Sequence, residues 1–163
     1  TSGGFGGMLI SKNKKHVDEV IDYIVYDKKN DSNRRFNFQM GDLQAAIGRE
    51  QLRKLPNFLE RREKIFRKYK DAGLDVLDVP TEDSQVLQPV RYRAVMKTKN
   101  QIKTIKSLKD NGIITEILNN EWILSQNPTK FSNSLNMVHN TISLPIYPSL
   151  SDENVEKIIA ALL

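Results

Sequence analysis

Cysteine is absent from the 163 residues, which removes both a disulfide framework and thiolate ligation of a metal and fits a reducing cytoplasm. Histidine is nearly absent. His16 and His139 stand alone, without the spaced histidine or carboxylate partners that a metal centre needs. So few candidates assemble no Ser-His-Asp or Cys-His set. There is a single tryptophan, Trp122. No charged-then-apolar leader and no long uncharged apolar run occurs, so neither a signal peptide nor a membrane span is expected. Internal repeats and low-complexity segments are also missing.

What is present is ordinary for a globular protein: 39% hydrophobic and 28% charged residues, with length enough for one domain core. The net charge of +5 is unevenly spread. Residues 1–70 carry 16 Lys/Arg against 9 Asp/Glu, a surplus of +7, and the remainder carries a deficit of −2. Such asymmetry is compatible with nucleic-acid binding. The basic residues, however, mostly share one helical stretch, from Arg49 to Lys70, with Glu50, Glu60 and Glu63. Mixed signs on a helix mark a solvated or subunit-facing surface, and no nucleic-acid motif accompanies them.

Periodicity gives the coarse organisation. Val17, Val20, Ile21 and Ile24 recur at helical spacing and predict a helix over about 14–26. Met8 to Ile10 is a candidate strand, and Lys28 to Arg35 has turn composition. A long helix starts at Asp42, which suits the positive helix end. Pro56 should kink it or divide it in two, and Gly73 should end it. The alternation Val90, Tyr92, Ala94, Met96 predicts a strand. Asn100 and Gly112 bracket a helix, and Ile113 to Leu118 reads as β. Ser151 caps a last helix whose Val155, Ile158, Ile159 and Leu162 form one apolar face. Strands alternating with helices give an α/β class.

One segment is more specific than any of these. Phe36 to Leu55, FNFQMGDLQAAIGREQLRKL, resembles the signature that follows the cofactor lysine in the DegT/DnrJ/EryC1/StrS family of pyridoxal-phosphate-dependent sugar aminotransferases. Three further stretches are similar to that family in the right order: FLERREKIFRKY (Phe58 to Tyr69), the Gly112-Ile113-x-Thr115 step, and SLPIYPSLSDENVEKIIAAL (Ser143 to Leu162). Between Leu118 and Val138 the match is poor. Leu118 and Asn119 stand where many members carry His-Tyr.

The resemblance implies the C-terminal part of a fold-type-I transferase. Residues 1–55 would end the large cofactor domain, and 56–163 would form the small C-terminal domain. The catalytic lysine would lie just before Thr1, so no catalytic residue is assigned within the chain. The whole enzyme would be a cytoplasmic homodimer. It would move an amino group, commonly from glutamate, onto a nucleotide-linked keto sugar for polysaccharide or antibiotic sugar synthesis. Two other classes stay open: a non-catalytic interaction protein derived from the family, and a basic nucleic-acid-binding module.

By the same resemblance Asn37 is the cofactor-binding candidate, its amide reaching the pyridoxal phosphate of the neighbouring subunit. An amide donates two hydrogen bonds without ionising; the other reading is an Asn that caps or turns the loop. The substrate-binding candidates are Gln39, Arg35 and Trp122: Gln39 stands where many relatives carry Arg, which removes a bidentate anion clamp, so a contact to a nucleotide-sugar phosphate from here should be weaker or made elsewhere. Arg35 and Arg34 are near enough to compensate, or belong to a solvated turn. Trp122 either stacks on a base or sugar ring or packs. The glycines before Met8 fit neither GxGxxG nor GxxxxGK[ST] and read better as a strand lead-in than a phosphate loop. No metal site is expected.

Overall fold

The structure, a computed structural model, describes residues 7–79, 89–117 and 124–163. The chain forms two compact units, Thr1–Pro56 and Asn57–Leu163.

In the first unit, helix α1 (Lys14–Ile24) is opened by Asn13, whose side-chain oxygen accepts from the Lys15 N–H at 3.0 Å. An irregular stretch leads from α1 to helix α2 (Asp42–Asp71), with Asp42 in its first turn. Pro56 sits inside α2, which runs through it as one helix rather than two. Among the described residues of this unit, none is fully buried. Met8 to Ile10 is irregular and exposed, not a strand. A strand needs a neighbour to take its alternate N–H and C=O groups, and no described segment of this unit supplies one.

The second unit holds the hydrophobic core. The C-terminal half of α2 contributes Ile65, Phe66 and Tyr69, all fully buried, and the Tyr69 hydroxyl donates to the Pro145 carbonyl at 2.7 Å. Gly73, at φ +83°, stops the helix. Its N–H reaches the Lys70 carbonyl and the Leu74 N–H reaches that of Tyr69, a Schellman arrangement that only a residue tolerant of positive φ closes cheaply. The same arrangement at Gly112, φ +73°, ends helix α3 (Gln101–Asp110).

Strands β1 (Ala94–Lys97) and β2 (Thr141–Leu144) pair antiparallel, with Ala94 opposite Leu144 and Lys97 opposite Thr141. Single bridges extend the sheet on both sides, Val76 to Met96 and Glu116 to Ser143. Helix α4 (Ser132–His139) leads directly into β2. Helix α5 (Asp152–Ala160) buries Val155, Ile158 and Ile159 against the core.

Two expected strands are shorter than their patterns. The run from Val90 becomes a strand only at Ala94, because Arg91 adopts φ +47° and turns the backbone out of the extended region. Residues 113–117 contribute only the bridge at Glu116. Leu118 and Trp122 lie outside the described residues.

Helix α5 gives a direct test of local capping. The Ser151 hydroxyl accepts from the Asn154 N–H at 3.2 Å. Ser151→Ala should therefore lower stability by about 1 kcal/mol, read as a shift of the urea midpoint at constant slope. No shift would mean that the cap contributes nothing.

Candidate functional site

The stretch after α1 folds back onto that helix. The Phe36 N–H donates to the Tyr23 carbonyl at 3.1 Å. The Phe36 and Phe38 rings stack at 5.4 Å between centroids, with Tyr23 5.3 Å from Phe36. Between the two phenylalanines, Asn37 makes a local turn: its side-chain oxygen accepts from the Gln39 N–H at 3.2 Å, and its amide donates to the Tyr26 hydroxyl at 3.3 Å. Both readings of Asn37 from sequence are therefore compatible with its position. Its oxygen serves the turn, while at most one of its two N–H groups is used on Tyr26.

Asn37 and Gln39 line a cleft of about 750 Å³ within the first unit. The other side chains around it are aliphatic or aromatic, among them Val17, Val20, Ile24, Phe38 and Met40. Among the described residues, the two amides are the only polar side chains that line it, and no described lysine, histidine or carboxylate does. Neutral N–H donors on an apolar wall suit a phosphate or another anion in kind. The described side chains of the lining can bind and orient; none of them is ionisable.

Arg35 does not point into the cleft. Its side chain is only 6% exposed and lies between Asp22 of α1 and Asp31 of the loop, at 3.0 and 2.5 Å. It is therefore not a residue of a solvated turn. Two carboxylates surround the guanidinium, and Lys29 joins the same group through Asp22 at 2.8 Å. Hydrogen bonds from Arg35 and from the Asn33 backbone hold the Asp31 carboxyl at about 2, well below the usual carboxylate range. Those from Lys29 and Arg35 lower Asp22 as well. Sequence reasoning passed over this group because Asp22 and Arg35 are 13 residues apart. The one available signal was Asp31, four residues before Arg35 within the turn. Arg34 is exposed.

A second hollow, about 760 Å³, lies within the C-terminal unit, and Arg91 is one of the residues that line it. The Arg91 guanidinium stacks 3.7 Å over the Phe66 ring and pairs with Glu63 and Asp78 at 2.8 and 2.6 Å. Arg67 and Lys70 pair with the same two carboxylates. Each of these three cations therefore has a carboxylate partner. Other basic side chains of α2 are matched in the same way: Arg53 and Lys54 to Glu50, Lys64 to Glu60, and Arg61 and Lys68 to Asp152. Among the described residues, no group of His, Asp or Glu could hold a metal ion, and no helix is long and apolar enough to cross a membrane.

Comparison with known proteins decides the family. The model of the DegT/DnrJ/EryC1/StrS aminotransferase family matches residues 2–163. The chain belongs to that family. Among curated relatives of this aminotransferase family, the chain is similar to the spore coat polysaccharide biosynthesis protein SpsC of Bacillus subtilis, at 30% identity over 77% of the chain and 36% of SpsC. Among solved structures, a DegT/DnrJ/EryC1/StrS aminotransferase from Brucella abortus matches with a TM-score of 0.78 at 21% identity, covering 93% of this chain and 44% of that one. The sugar aminotransferase Spr1654 of Streptococcus pneumoniae, described as putative, matches in its PMP form with a TM-score of 0.76 at 20% identity over 94% of this chain and 44% of its own. The chain thus spans between about a third and half the length of these relatives. It carries part of the aminotransferase fold, mostly helical with a small sheet.

Proposed function

We propose that the chain is the C-terminal portion of a pyridoxal-phosphate-dependent sugar aminotransferase of fold type I, and that its first unit supplies a phosphate contact to the cofactor. The observation that carries this is the Asn37 amide in a cleft whose other described lining, Gln39 apart, is apolar, within the segment that resembles the family signature. The first unit would be the end of the large cofactor domain, and the second the small C-terminal domain. Amino transfer from glutamate to a nucleotide-linked keto sugar is the reading supported by the family match and by the polysaccharide role printed for SpsC.

When bound, the cofactor supplies the electron sink that lets an amino group leave one carbon and join another. The residues of this chain bind and orient. Asn37 would donate to the cofactor phosphate, and Gln39, the candidate for a weak substrate contact, is a neutral amide, so neither adds positive charge to the site. The lysine that holds the cofactor and moves protons lies outside residues 1–163 in this reading. The exposed apolar side chains of the first unit, Phe38, Met40, Leu43, Ile47 and Leu52 among them, are of the kind buried at a two-fold interface. The full-length enzyme is accordingly proposed to be a homodimer with Asn37 serving the partner's site.

The test is an amino-transfer assay on the full-length protein. Release of 2-oxoglutarate from glutamate should depend on an added nucleotide-linked keto sugar. Asn37→Ala should weaken retention of pyridoxal phosphate by about 1–3 kcal/mol, measured by equilibrium dialysis. Unchanged retention in a normally folded variant rules out the phosphate role.

A further inference from the structure

The loop after α1 is held by one side chain more than by any other. Arg35 makes five hydrogen bonds to two acidic residues and one carbonyl. Its Nε donates to the Asp22 carbonyl at 2.8 Å. Its Nη2 donates to both Asp22 carboxylate oxygens at 3.0 Å, and to Asp31 Oδ2 at 2.9 Å. Its Nη1 donates to Asp31 Oδ1 at 2.5 Å. A guanidinium has five N–H groups in a fixed fork, so at most one is left for any other partner. Arg35 therefore cannot serve as an anion clamp in place of the missing positive charge at Gln39.

It does something else. The next residue, Phe36, docks onto the Tyr23 carbonyl, and the one after that, Asn37, reaches the Tyr26 hydroxyl. Three consecutive residues are thus tied to the last turn of α1 or the chain just after it, and only Arg35 ties both α1 and the intervening loop. The loop between the helices contains no helix or strand of its own, so its backbone order has to come from contacts of this kind.

We propose that Arg35 is a positioning residue for the anion site: clamped between Asp22 and Asp31, it fixes the backbone from which the Asn37 amide is presented to phosphate. This rests on the phosphate role of Asn37 given above. Lysine cannot replace it, because an ammonium lacks the planar fork that spans two carboxylates and a carbonyl.

The experiment uses the full-length apo protein and two probes, pyridoxal phosphate and pyridoxal, which differ only in the phosphate. The quantity read is the ratio of their affinities. A staple that merely keeps the protein folded would weaken both probes alike and leave the ratio unchanged. Asn37→Ala should lower the ratio about tenfold, the loss of one good hydrogen bond to a charged group. Arg35→Ala and Arg35→Lys should each lower it about three- to tenfold, and the double variant Arg35→Ala/Asn37→Ala should fall less than about twofold below Asn37→Ala alone, since coupled sites are not additive. If Arg35→Ala does not yield folded protein, Asp31→Asn removes one arm of the clamp and should lower the ratio by about twofold or more. A normal ratio in the Arg35 and Asp31 variants, with a lowered one in Asn37→Ala, overturns the positioning role and leaves the phosphate role of Asn37 standing. A normal ratio in Asn37→Ala overturns both.

Discussion

Ile142→Ala should destabilise the C-terminal unit by about 2–5 kcal/mol, the range for removing a large aliphatic side chain from a packed core. Ile142 is fully buried in β2, paired with Met96 of β1 and within the cluster that includes Phe66, Leu108 and Val155. The loss has two parts, the transfer free energy of three carbons and the contacts given up around the space left behind. Ile102→Ala is the control. That residue is 80% exposed on α3, so its removal should change stability by no more than about 0.5 kcal/mol. Urea unfolding of both variants reads the difference as separate midpoints at a common slope. Similar midpoints would mean that β2 is not at the centre of the core.

The second large effect belongs to Arg91. Its side chain is 10% exposed, and Arg91→Ala leaves Glu63 and Asp78 facing a partly buried gap beside Phe66. Breaking a buried ion pair from one side costs about 3–5 kcal/mol. A smaller loss, about 1–3 kcal/mol, is expected because both carboxylates are partly exposed and Arg67 still pairs with Glu63 and Lys70 with Asp78. Alanine carries a Cβ as arginine does, so the strain of φ +47° is common to both proteins and the side chain alone is measured.

The effect should fade in acid. Burial pushes both carboxyls up, but it is outweighed by hydrogen bonds, from Lys70 and Arg91 at Asp78 and from Arg91 and Arg67 at Glu63. Asp78 is held at about 2, and Glu63 below its ordinary value. Folded values below unfolded ones mean that the stabilisation is complete above the unfolded carboxylate range near pH ~4, and is lost as pH falls through the folded values. The gap between wild type and Arg91→Ala should therefore narrow from about pH 4 towards pH 2. A gap that stayed constant in acid would contradict the pairing.

Helices were legible where at least one end carried punctuation. Asn100 and Gly112 around α3, Ser151 before α5 and Gly73 after α2 each act in the structure as their residue types predict, through a side-chain oxygen or a positive φ. Strands were harder. β2 reads Thr-Ile-Ser-Leu and is buried at all four positions, so it lacks the polar face that makes alternation visible. Its Thr141 hydroxyl is satisfied by the Met137 carbonyl at 2.6 Å, a partner supplied by the last turn of α4. Met8 to Ile10 shows the converse, an apolar run without a pairing partner among the described residues. At the candidate site, Asn37 stood out through the motif around it. The Arg35 clamp did not, because ion pairing across a folded loop leaves no spacing rule in the chain.

The central claim is that these residues serve a cofactor whose lysine lies outside them. Borohydride reduction of the full-length protein saturated with pyridoxal phosphate fixes the cofactor to that lysine, and peptide mapping locates it. The account predicts one labelled lysine N-terminal to the residue numbered Thr1 here, and no stoichiometric label when residues 1–163 alone are treated in the same way. A single stoichiometrically labelled lysine within residues 1–163 would contradict it.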